Sequence, residues 1–300
     1  MWVISNQMDF FTSSHGRGTD FLHTFSVLGV FTRWDRVFHI PSACLCSWLI
    51  IKIDEEIILE DLTRSELLGS SLQMIENLNT VVFDLDGTLL QTETIVVGAI
   101  QTALARTSAT FRVDVCQPSQ DEILSLVGTP VYEFADSLDL SLADDAFAFF
   151  STELEDEEIR QIEDGQARLF EGVPELLADL RSSSFGLALI SNCSRRYLMA
   201  VCDYFSLWDY FDFSLCAEDI PRAGKARLLQ EILEKTETLP AEAIYLGDRV
   251  SDLEAARAIR CGFIGCLWGY GKREFDDSVP TVASIQELAA VLSQIRSAQT

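Results

Sequence analysis

One stretch constrains the fold of this chain more than any other, because a run of strand-forming residues ends there in two aspartates. Residues 80–90 read TVVFDLDGTLL, with Asp84 and Asp86 one residue apart and Gly87 directly after them. The apolar run is typical of a buried parallel strand, and glycine lets the backbone leave such a strand sharply. Open α/β sheets place their active sites at the carboxyl ends of strands. Buried carboxylates are costly unless a cation or a reaction uses them, so the pair predicts a functional site.

The rest of the chain predicts an α/β fold that is interrupted once. Between Leu90 and Phe170 the pattern is helical and shows no strand signal, which predicts an all-helical insertion at residues 95–165. Helices then alternate with short apolar strands, as expected for a parallel sheet with right-handed crossovers. The predicted strands after the insertion are 186–190, 211–216, 243–246 and 261–267. The predicted α/β core comprises residues 74–94 and 166–300.

Residues 1–73 differ from the remainder and leave two interpretations open. They contain all three histidines and show no sustained apolar period. The favoured interpretation is a poorly ordered extension, such as an upstream start site would add; the alternative is an accessory or partner-docking segment. The rest of the chain has no histidine to act as base, nucleophile or metal ligand.

Composition narrows the classes of partner. The net charge of −25 argues against nucleic acid, whose binding depends on Lys and Arg, and against anionic membrane surfaces. We find no apolar run of the ~18 residues that a membrane span needs, and no secretory signal at the start. The eight cysteines contain no C-x-x-C pair, which favours a reduced cytoplasmic protein. An anionic substrate would need a bound cation to reverse the local field.

Polar residues follow three of the predicted strands where each strand ends. They are Asp84 and Asp86, Ser191 and Asn192, and Asp248 and Asp252. A single lysine, Lys225, precedes a helix between the second and third of these strands. Because parallel strands end at a common edge, we expect these groups to converge.

The order of these motifs resembles the haloacid dehalogenase-like hydrolase superfamily, and most closely its phosphoglycolate-phosphatase-like branch. The segments FEGV at residues 170–173 and FIGCLWGYG at residues 263–271 fit the same branch. The resemblance covers about residues 78–296 and says nothing about residues 1–73. It implies a Rossmann-like parallel sheet core with an inserted all-helical cap domain that closes over the site.

The resemblance implies distinct roles for the two aspartates of the first motif. Asp84 would be the nucleophile, since a carboxylate can attack phosphorus and form an acyl-phosphate; the alternative is a strand-end aspartate that caps a turn. Asp86 points to the same side, where it could protonate the leaving oxygen and then take a proton from water. Its rival role is metal binding through its side chain, whereas the family assigns the metal its backbone carbonyl.

The implied cofactor is Mg²⁺, which suits several carboxylates without His or Cys ligands. Asp84 and Asp248 would supply side-chain oxygens, and Asp252 would bind directly or through water, with helix N-capping as its alternative. Asp86 completes the predicted metal set of four residues.

The implied phosphate contacts are Ser191, the backbone amides after it, and Lys225. The alternative for Lys225 is an exposed lysine at a helix start. Thr88 either caps a helix or contacts phosphate. Asn192 belongs to the same candidate set, although ordering of the loop is its favoured role.

Some residues depart from the pattern of the branch. Gln91 stands where an acidic residue is frequent, and the lysine motif reads PRAGK rather than the frequent Lys-Pro form. Arg249 follows Asp248 where a small polar residue is usual, and either adds charge near the phosphate or pairs on the surface. The turn at residues 128–130 either starts a substrate-facing helix or is an ordinary turn. Residues 95–165 contain no lysine, which excludes a Schiff base from the insertion.

The sequence therefore predicts a Mg²⁺-dependent phosphatase that acts on a small phosphorylated metabolite through an aspartyl-phosphate. Candidate substrates are 2-phosphoglycolate and a sugar phosphate. The alternatives are a sugar-phosphate mutase of the same superfamily and a non-catalytic binding protein on this fold. The oligomeric state is not predicted.

Overall fold

The computed structural model describes the backbone of residues 48–53 and 56–61, and residues 77–298 apart from 138, 139, 141, 221, 223 and 272. Strands β1 (Trp48–Ile53) and β2 (Glu56–Asp61) pair antiparallel into a separate two-stranded sheet. The rest of the predicted extension at residues 1–73 lies outside the described residues. The predicted domain boundaries at 73, 94 and 165 stay predictions.

The main sheet has six parallel strands in the order β5-β4-β3-β6-β7-β8. They are β3 (Thr80–Phe83), β4 (Gly186–Ser191), β5 (Phe213–Cys216), β6 (Ala243–Gly247), β7 (Gly262–Cys266) and β8 (Thr281–Val282). Strand β3 lies at the centre, where Phe83 pairs with Leu189 of β4 and with Leu246 of β6. The carboxyl ends of these three strands are therefore adjacent, at the point where the strand order reverses.

Strand β3 is apolar from Val81 to Phe83 because both faces of the sheet are covered. Val81 and Phe83 belong to the hydrophobic core on one face, and Val82 belongs to the core on the other. All three side chains are fully buried. This burial explains why the run shows no polar alternation, as is usual for a parallel sheet between helices.

Four helices follow β3 and occupy the predicted insertion. They are α1 (Val96–Phe111), α2 (Gln120–Ser125), α3 (Val131–Ser137) and α4 (Asp144–Glu163). They bury a core of their own, in which Leu104, Ile123 and Phe150 are fully inaccessible to solvent. Residues 95–165 are called the helical insertion below.

Five helices alternate with the later strands and cover the sheet. They are α5 (Val173–Ser182), α6 (Arg195–Tyr204), α7 (Lys225–Lys235), α8 (Val250–Ile259) and α9 (Ile285–Ala298). This architecture confirms the predicted Rossmann-like α/β fold. Within the described part of the chain, no helix combines the length and the apolar character that crossing a membrane requires.

Candidate active site

Three buried aspartates converge at the carboxyl edge of the sheet. Asp84 follows β3, Asp248 follows β6, and Asp252 lies in the first turn of α8. One carboxylate oxygen from each lies within 4.8 Å of the other two. Residues 164 positions apart in the sequence are thus close enough to share one ion, which is the geometry that the predicted chemistry requires.

Lys225 lies among these carboxylates rather than on the surface. Its Nζ is 2.9 Å from Oδ1 of Asp84 and 2.6 Å from Oδ1 of Asp252, and its side chain is only 3% exposed. Burial acts to lower the pKa of Lys225, but the charges of Asp252 and Asp84 outweigh it and raise this pKa above its ordinary value. Lys225 is therefore a buried cation that links two of the three carboxylates.

Asp252 both caps a helix and takes part in the cluster. Its Oδ2 accepts a hydrogen bond from the backbone N–H of Arg249 at 3.0 Å, which caps the first turn of α8. Its Oδ1 accepts from the hydroxyl of Tyr245 at 2.8 Å as well as from Lys225. The two roles considered for Asp252 thus use different oxygens and do not compete.

Two carboxylate oxygens of the cluster are buried and have no hydrogen-bond partner among the described residues: Oδ2 of Asp84 and Oδ1 of Asp248. Burial, followed by the charge of Asp252, raises the pKa of Asp248 to about 7. Burial raises the pKa of Asp84 well above its ordinary value, although Lys225 opposes the shift. When ionised, three carboxylates and one ammonium carry two net negative charges, so a divalent cation would neutralise the group. An oxygen-only donor set of this kind fits a hard cation.

Two features require glycine at position 87 of the first motif: the backbone conformation of the turn and the close approach of the Asp248 carboxylate. Gly87 has φ +80°, a backbone conformation that residues with a side chain rarely adopt. A Cβ at this position would collide with the Asp248 carboxylate and would lie 2.8 Å from the ring of Tyr270. Glycine therefore allows the loop after β3 to approach the carboxylate that follows β6.

Asp86 lies at the same edge but its side chain is not part of the three-carboxylate cluster. Its Oδ1 accepts from Thr92 Oγ1 at 2.7 Å and from the Tyr197 hydroxyl at 2.9 Å, and its Oδ2 faces Ser191 Oγ at 3.4 Å. Burial raises the pKa of Asp86 despite these three donors. A raised pKa and a separate position suit a proton donor better than a side-chain metal ligand.

Of the predicted phosphate contacts, Thr88 and Ser191 have side chains within the core, whereas the side chain of Asn192 contacts the helical insertion. Thr88 Oγ1 is buried without a hydrogen-bond partner, so this hydroxyl does not cap a helix. Ser191 Oγ accepts from the N–H of Cys193 at 3.1 Å, which places it inside the loop after β4. Asn192 Nδ2 instead donates to the carbonyl of Gly128 at 2.9 Å and so joins the core to the helical insertion. The geometry at Asn192 matches loop ordering.

Two of the departures from the branch pattern have structural explanations. Gln91 Nε2 donates to the carbonyl of Leu169 at 2.7 Å, which ties together the two chain segments that enter and leave the helical insertion. Arg249 forms an ion pair with Glu274 at 2.9 Å and also donates to backbone carbonyls of the insertion. Among the described residues, neither side chain hydrogen-bonds to the three-carboxylate cluster, although the charge of Arg249 acts to lower the pKa of Asp248.

Sequence reasoning assigned no role to Thr92, Tyr197 or Tyr270, although all three contact the site. Tyr270 donates its backbone N–H to Oδ2 of Asp248 at 2.7 Å. Tyr270 lies in the segment quoted for the resemblance, and Tyr197 lies in the first turn of the helix after Ser191. Position alone could have indicated these residues, but the atoms that they contact could not be read from the sequence.

A cavity of about 330 Å³ opens between this edge and the helical insertion. Asp86 and Asn192 line it from the core, and Gly128 and Thr129 line it from the insertion. The turn at residues 128–130 therefore faces the cavity. Among the predicted site residues, Asp84, Thr88, Ser191, Lys225, Asp248 and Asp252 do not line it.

Comparison with known proteins agrees with this geometry. The family described as haloacid dehalogenase-like hydrolase matches residues 81–266. The tyrosine-protein kinase PtkA of Mycobacterium tuberculosis is 27% identical over 231 residues, which cover 74% of this chain and 73% of that protein. A phosphoglycolate phosphatase of Photobacterium profundum is 25% identical over 209 residues, covering 66% of this chain and 87% of that protein.

Solved structures show the same fold. A crystal structure of a predicted phosphoglycolate phosphatase from Haemophilus somnus 129PT aligns with a TM-score of 0.62 at 19% sequence identity. The alignment covers 72% of this chain and 97% of that one.

Proposed function

Because this chain belongs to the haloacid dehalogenase-like hydrolase family, we propose that it is a Mg²⁺-dependent phosphatase that hydrolyses a small phosphomonoester through an aspartyl-phosphate on Asp84. The observation that carries the proposal is the buried cluster of Asp84, Asp248 and Asp252 around Lys225, with Asp86 beside it. Substrate candidates are 2-phosphoglycolate and a sugar phosphate.

The cluster is suited to Mg²⁺ because its unpartnered oxygens are hard donors. Asp84, Asp248 and Asp252 would hold the ion. When bound, Mg²⁺ would offset the repulsion between an attacking carboxylate and a phosphate dianion.

Asp84 and Asp86 divide the chemistry between them. Asp84 attacks phosphorus, so a bond forms between its carboxylate oxygen and phosphorus while the bond from phosphorus to the leaving alcohol breaks. Asp86 gives its proton to the departing oxygen and then accepts one from the water that attacks the acyl-phosphate. Phosphate leaves and Asp84 returns to its free carboxylate.

Three further groups stabilise the charge on the transferring phosphoryl oxygens. Lys225 supplies a buried positive charge, and its contact with Asp84 fixes the orientation of the nucleophile. Ser191 and Thr88 supply hydroxyl donors, and Thr88 Oγ1 has no competing partner among the described residues. Asn192 positions the loop that carries Ser191.

A second candidate differs only in the acceptor of the phosphoryl group. Relatives named tyrosine-protein kinase align with 74% of this chain, and a mutase would return the group to a sugar phosphate. Both reactions could use Asp84 in the same first step. Release of inorganic phosphate favours hydrolysis, whereas a phosphorylated tyrosine peptide or an isomerised sugar phosphate would favour transfer.

The test is hydrolysis of p-nitrophenyl phosphate by the full chain with Mg²⁺. We expect phosphate release that EDTA abolishes and Mg²⁺ restores, and a loss of at least about 1,000-fold in kcat for Asp84→Asn. Asp179→Asn, an exposed substitution of the same kind on α5, serves as the control. An active Asp84→Asn enzyme would refute the assignment of the nucleophile.

A further inference from the structure

The cavity next to Asp86 carries charge of one sign. Four carboxylates line it, namely Asp86, Glu155, Glu158 and Glu218, and none of its lining residues is Lys, Arg or His. Its volume of about 330 Å³ lies at the small end of the range for ligand pockets. The body of a substrate whose phosphoryl group reaches Asp86 would occupy this space.

Glu158 is the carboxylate of the cavity that lacks a partner. Glu155 pairs with Arg196 and accepts from the hydroxyl of Ser194, and Glu218 accepts from the backbone N–H of Arg195 at 3.0 Å. Glu158 lies one turn after Glu155 on α4 and makes no hydrogen bond or ion pair within the part of the chain that the structure describes. Burial, followed by the charges of Asp86 and Glu155, raises the pKa of Glu158 well above its ordinary value. Its carboxyl group is free to pair with a ligand, and an ammonium group placed beside it would lower this pKa and favour the ionised carboxylate.

The cations next to the lining residues or within the cluster already have partners, and Arg195, which follows the lining residue Ser194, pairs with Asp219. Arg196 also pairs with Asp156 at 2.8 Å, Arg249 pairs with Glu274, and Lys225 is held by the carboxylates of the cluster. A second anionic group on a substrate would therefore be buried beside Glu158 without an opposite charge. Such burial is costly, whereas an ammonium group there would find a partner.

Apolar side chains of the helical insertion also line the cavity and favour a hydrocarbon group on the substrate. Val96, Ile100, Phe134 and Leu154 line the cavity from the helical insertion. All four side chains are buried in the apolar core of the insertion. Contact with these side chains would stabilise an alkyl or aryl group by removing its surface from water.

We infer that the cavity selects phosphomonoesters whose leaving alcohol carries an apolar or amine-bearing body, with Glu158 as the residue that attracts the amine and rejects a second anion. This inference rests on the proposed phosphatase activity and refines it. Of the two substrate candidates, it disfavours 2-phosphoglycolate, whose carboxylate would face Glu158.

Three two-carbon esters test the inference because they differ only in their terminal group: O-phosphoethanolamine, ethyl phosphate and 2-phosphoglycolate. With the full chain and Mg²⁺ at pH 7.5, we expect kcat/KM to fall in that order. Glu158→Gln should lower kcat/KM for the amine by about tenfold relative to ethyl phosphate, as expected for the loss of one close charge pair. Glu158→Lys should favour 2-phosphoglycolate over ethyl phosphate relative to the wild type.

The matched control is Glu163→Gln, which removes the same charge from an exposed position on α4. It should change the three esters equally or not at all. Ratios between variant and wild type for each ester cancel the intrinsic reactivities of the leaving groups.

The outcomes separate failure of this inference from failure of the proposed function. The inference is wrong if 2-phosphoglycolate is hydrolysed as well as ethyl phosphate, or if Glu158→Gln affects all three esters alike. Phosphatase chemistry would still stand in that case, provided that p-nitrophenyl phosphate is hydrolysed and Asp84→Asn is inactive. If neither p-nitrophenyl phosphate nor any of the three esters releases phosphate, the proposed function fails and the inference fails with it.

Discussion

Asp86 is positioned by hydroxyl groups from two distant parts of the chain. Thr92 lies six residues away in the sequence, whereas Tyr197 lies 111 residues away and reaches the same oxygen, Oδ1. The two donors fix the direction of a carboxyl group that must face the leaving oxygen. Positioning of this kind affects the transition state more than substrate binding.

We predict that Tyr197→Phe lowers kcat by about five- to twentyfold with little change in KM, because the lost hydrogen bond orients Asp86 only for proton transfer. Folding stability should fall by about 1 kcal/mol, the usual worth of such a bond. The measurements are steady-state kinetics and thermal unfolding. Tyr204→Phe, an exposed substitution on the same helix, is the control. An unchanged kcat would show that Thr92 alone suffices.

The ionised form of Asp248 destabilises the fold because its carboxylate is buried. Its folded pKa of about 7 lies above the ordinary value, so its ionisation costs folding free energy. The folded state binds the extra proton, and stability is therefore lost as the pH rises through the window from about 4 to 7.

We predict that, without metal at pH 8, Asp248→Asn is more stable than the wild type by about 1–3 kcal/mol, since a buried charge is removed. That corresponds to a rise of about 3–8 °C in Tm for a chain of this size, and the gain should be smaller at pH 5.5. Mg²⁺ should raise the Tm of the wild type and not that of the variant. Thermal unfolding in EDTA and in Mg²⁺ measures both effects; a variant that is less stable in EDTA would contradict the argument.

The helical insertion is joined to the core by side chains at the ends of elements. Arg249, at the N-terminus of α8, donates from Nη1 to the carbonyl of Ser125 at 2.9 Å and to that of Val127 at 3.1 Å. Ser125 is the last residue of α2 and Val127 lies between α2 and α3, next to the turn that lines the cavity. Arg249 therefore links the insertion side of the cavity to the edge that carries Asp248.

Arg249→Gln should raise KM by about three- to tenfold with a smaller effect on kcat, because the insertion closes over the substrate less often. Amide hydrogens of residues 125–131 should also exchange faster than in the wild type. Arg257→Gln, on an exposed position of α8, is the matched substitution and should change neither quantity. Unchanged exchange at residues 125–131 would show that Arg249 does not hold the insertion closed.

At the scale of elements, strong local signals predicted the structure and weak ones did not. Strands β4 and β6 each begin at the predicted residue and extend only one residue beyond the predicted end. Strand β8 was not predicted, because two residues carry no periodicity and pair only with β7. Strand β5 begins at Phe213 rather than at residue 211, although Phe211 is buried like a strand residue.

At the scale of the whole molecule, the alternation of strands and helices predicted a parallel sheet but not the order of its strands. Strand β3 pairs with β4 on one side and with β6 on the other, and this order places Asp84 between Ser191 and Asp248. The residue types and the common edge were predictable from the motifs. The link from Lys225 to Asp252 and the cavity lined by Glu158 depend on tertiary packing and were not.

We predict that a chain beginning at Met74 keeps the kcat/KM of the full chain, because every predicted site residue lies between Asp84 and Asp252. Its Tm should also be unchanged, since the strands of the main sheet and the helices that cover it all lie between Thr80 and Ala298. Kinetics and thermal unfolding of both chains test this. A loss of activity would instead favour the accessory role for residues 1–73.

The net charge of −25 acts on any anionic substrate before the substrate reaches Lys225 and the proposed Mg²⁺. Long-range repulsion is screened over about 10 Å at 0.1 M salt, whereas the buried contacts of the site are screened much less. At saturating Mg²⁺, raising NaCl from about 20 to about 200 mM should therefore increase kcat/KM for ethyl phosphate by about two- to fivefold while kcat stays constant. The increase should be smaller for O-phosphoethanolamine, whose ammonium group halves its net charge.

Tetramethylammonium chloride should reproduce the effect of NaCl, because screening does not depend on the identity of the cation. A kcat/KM that falls with salt would mean that the field at the mouth of the site is already positive, so that the surrounding charge attracts the substrate.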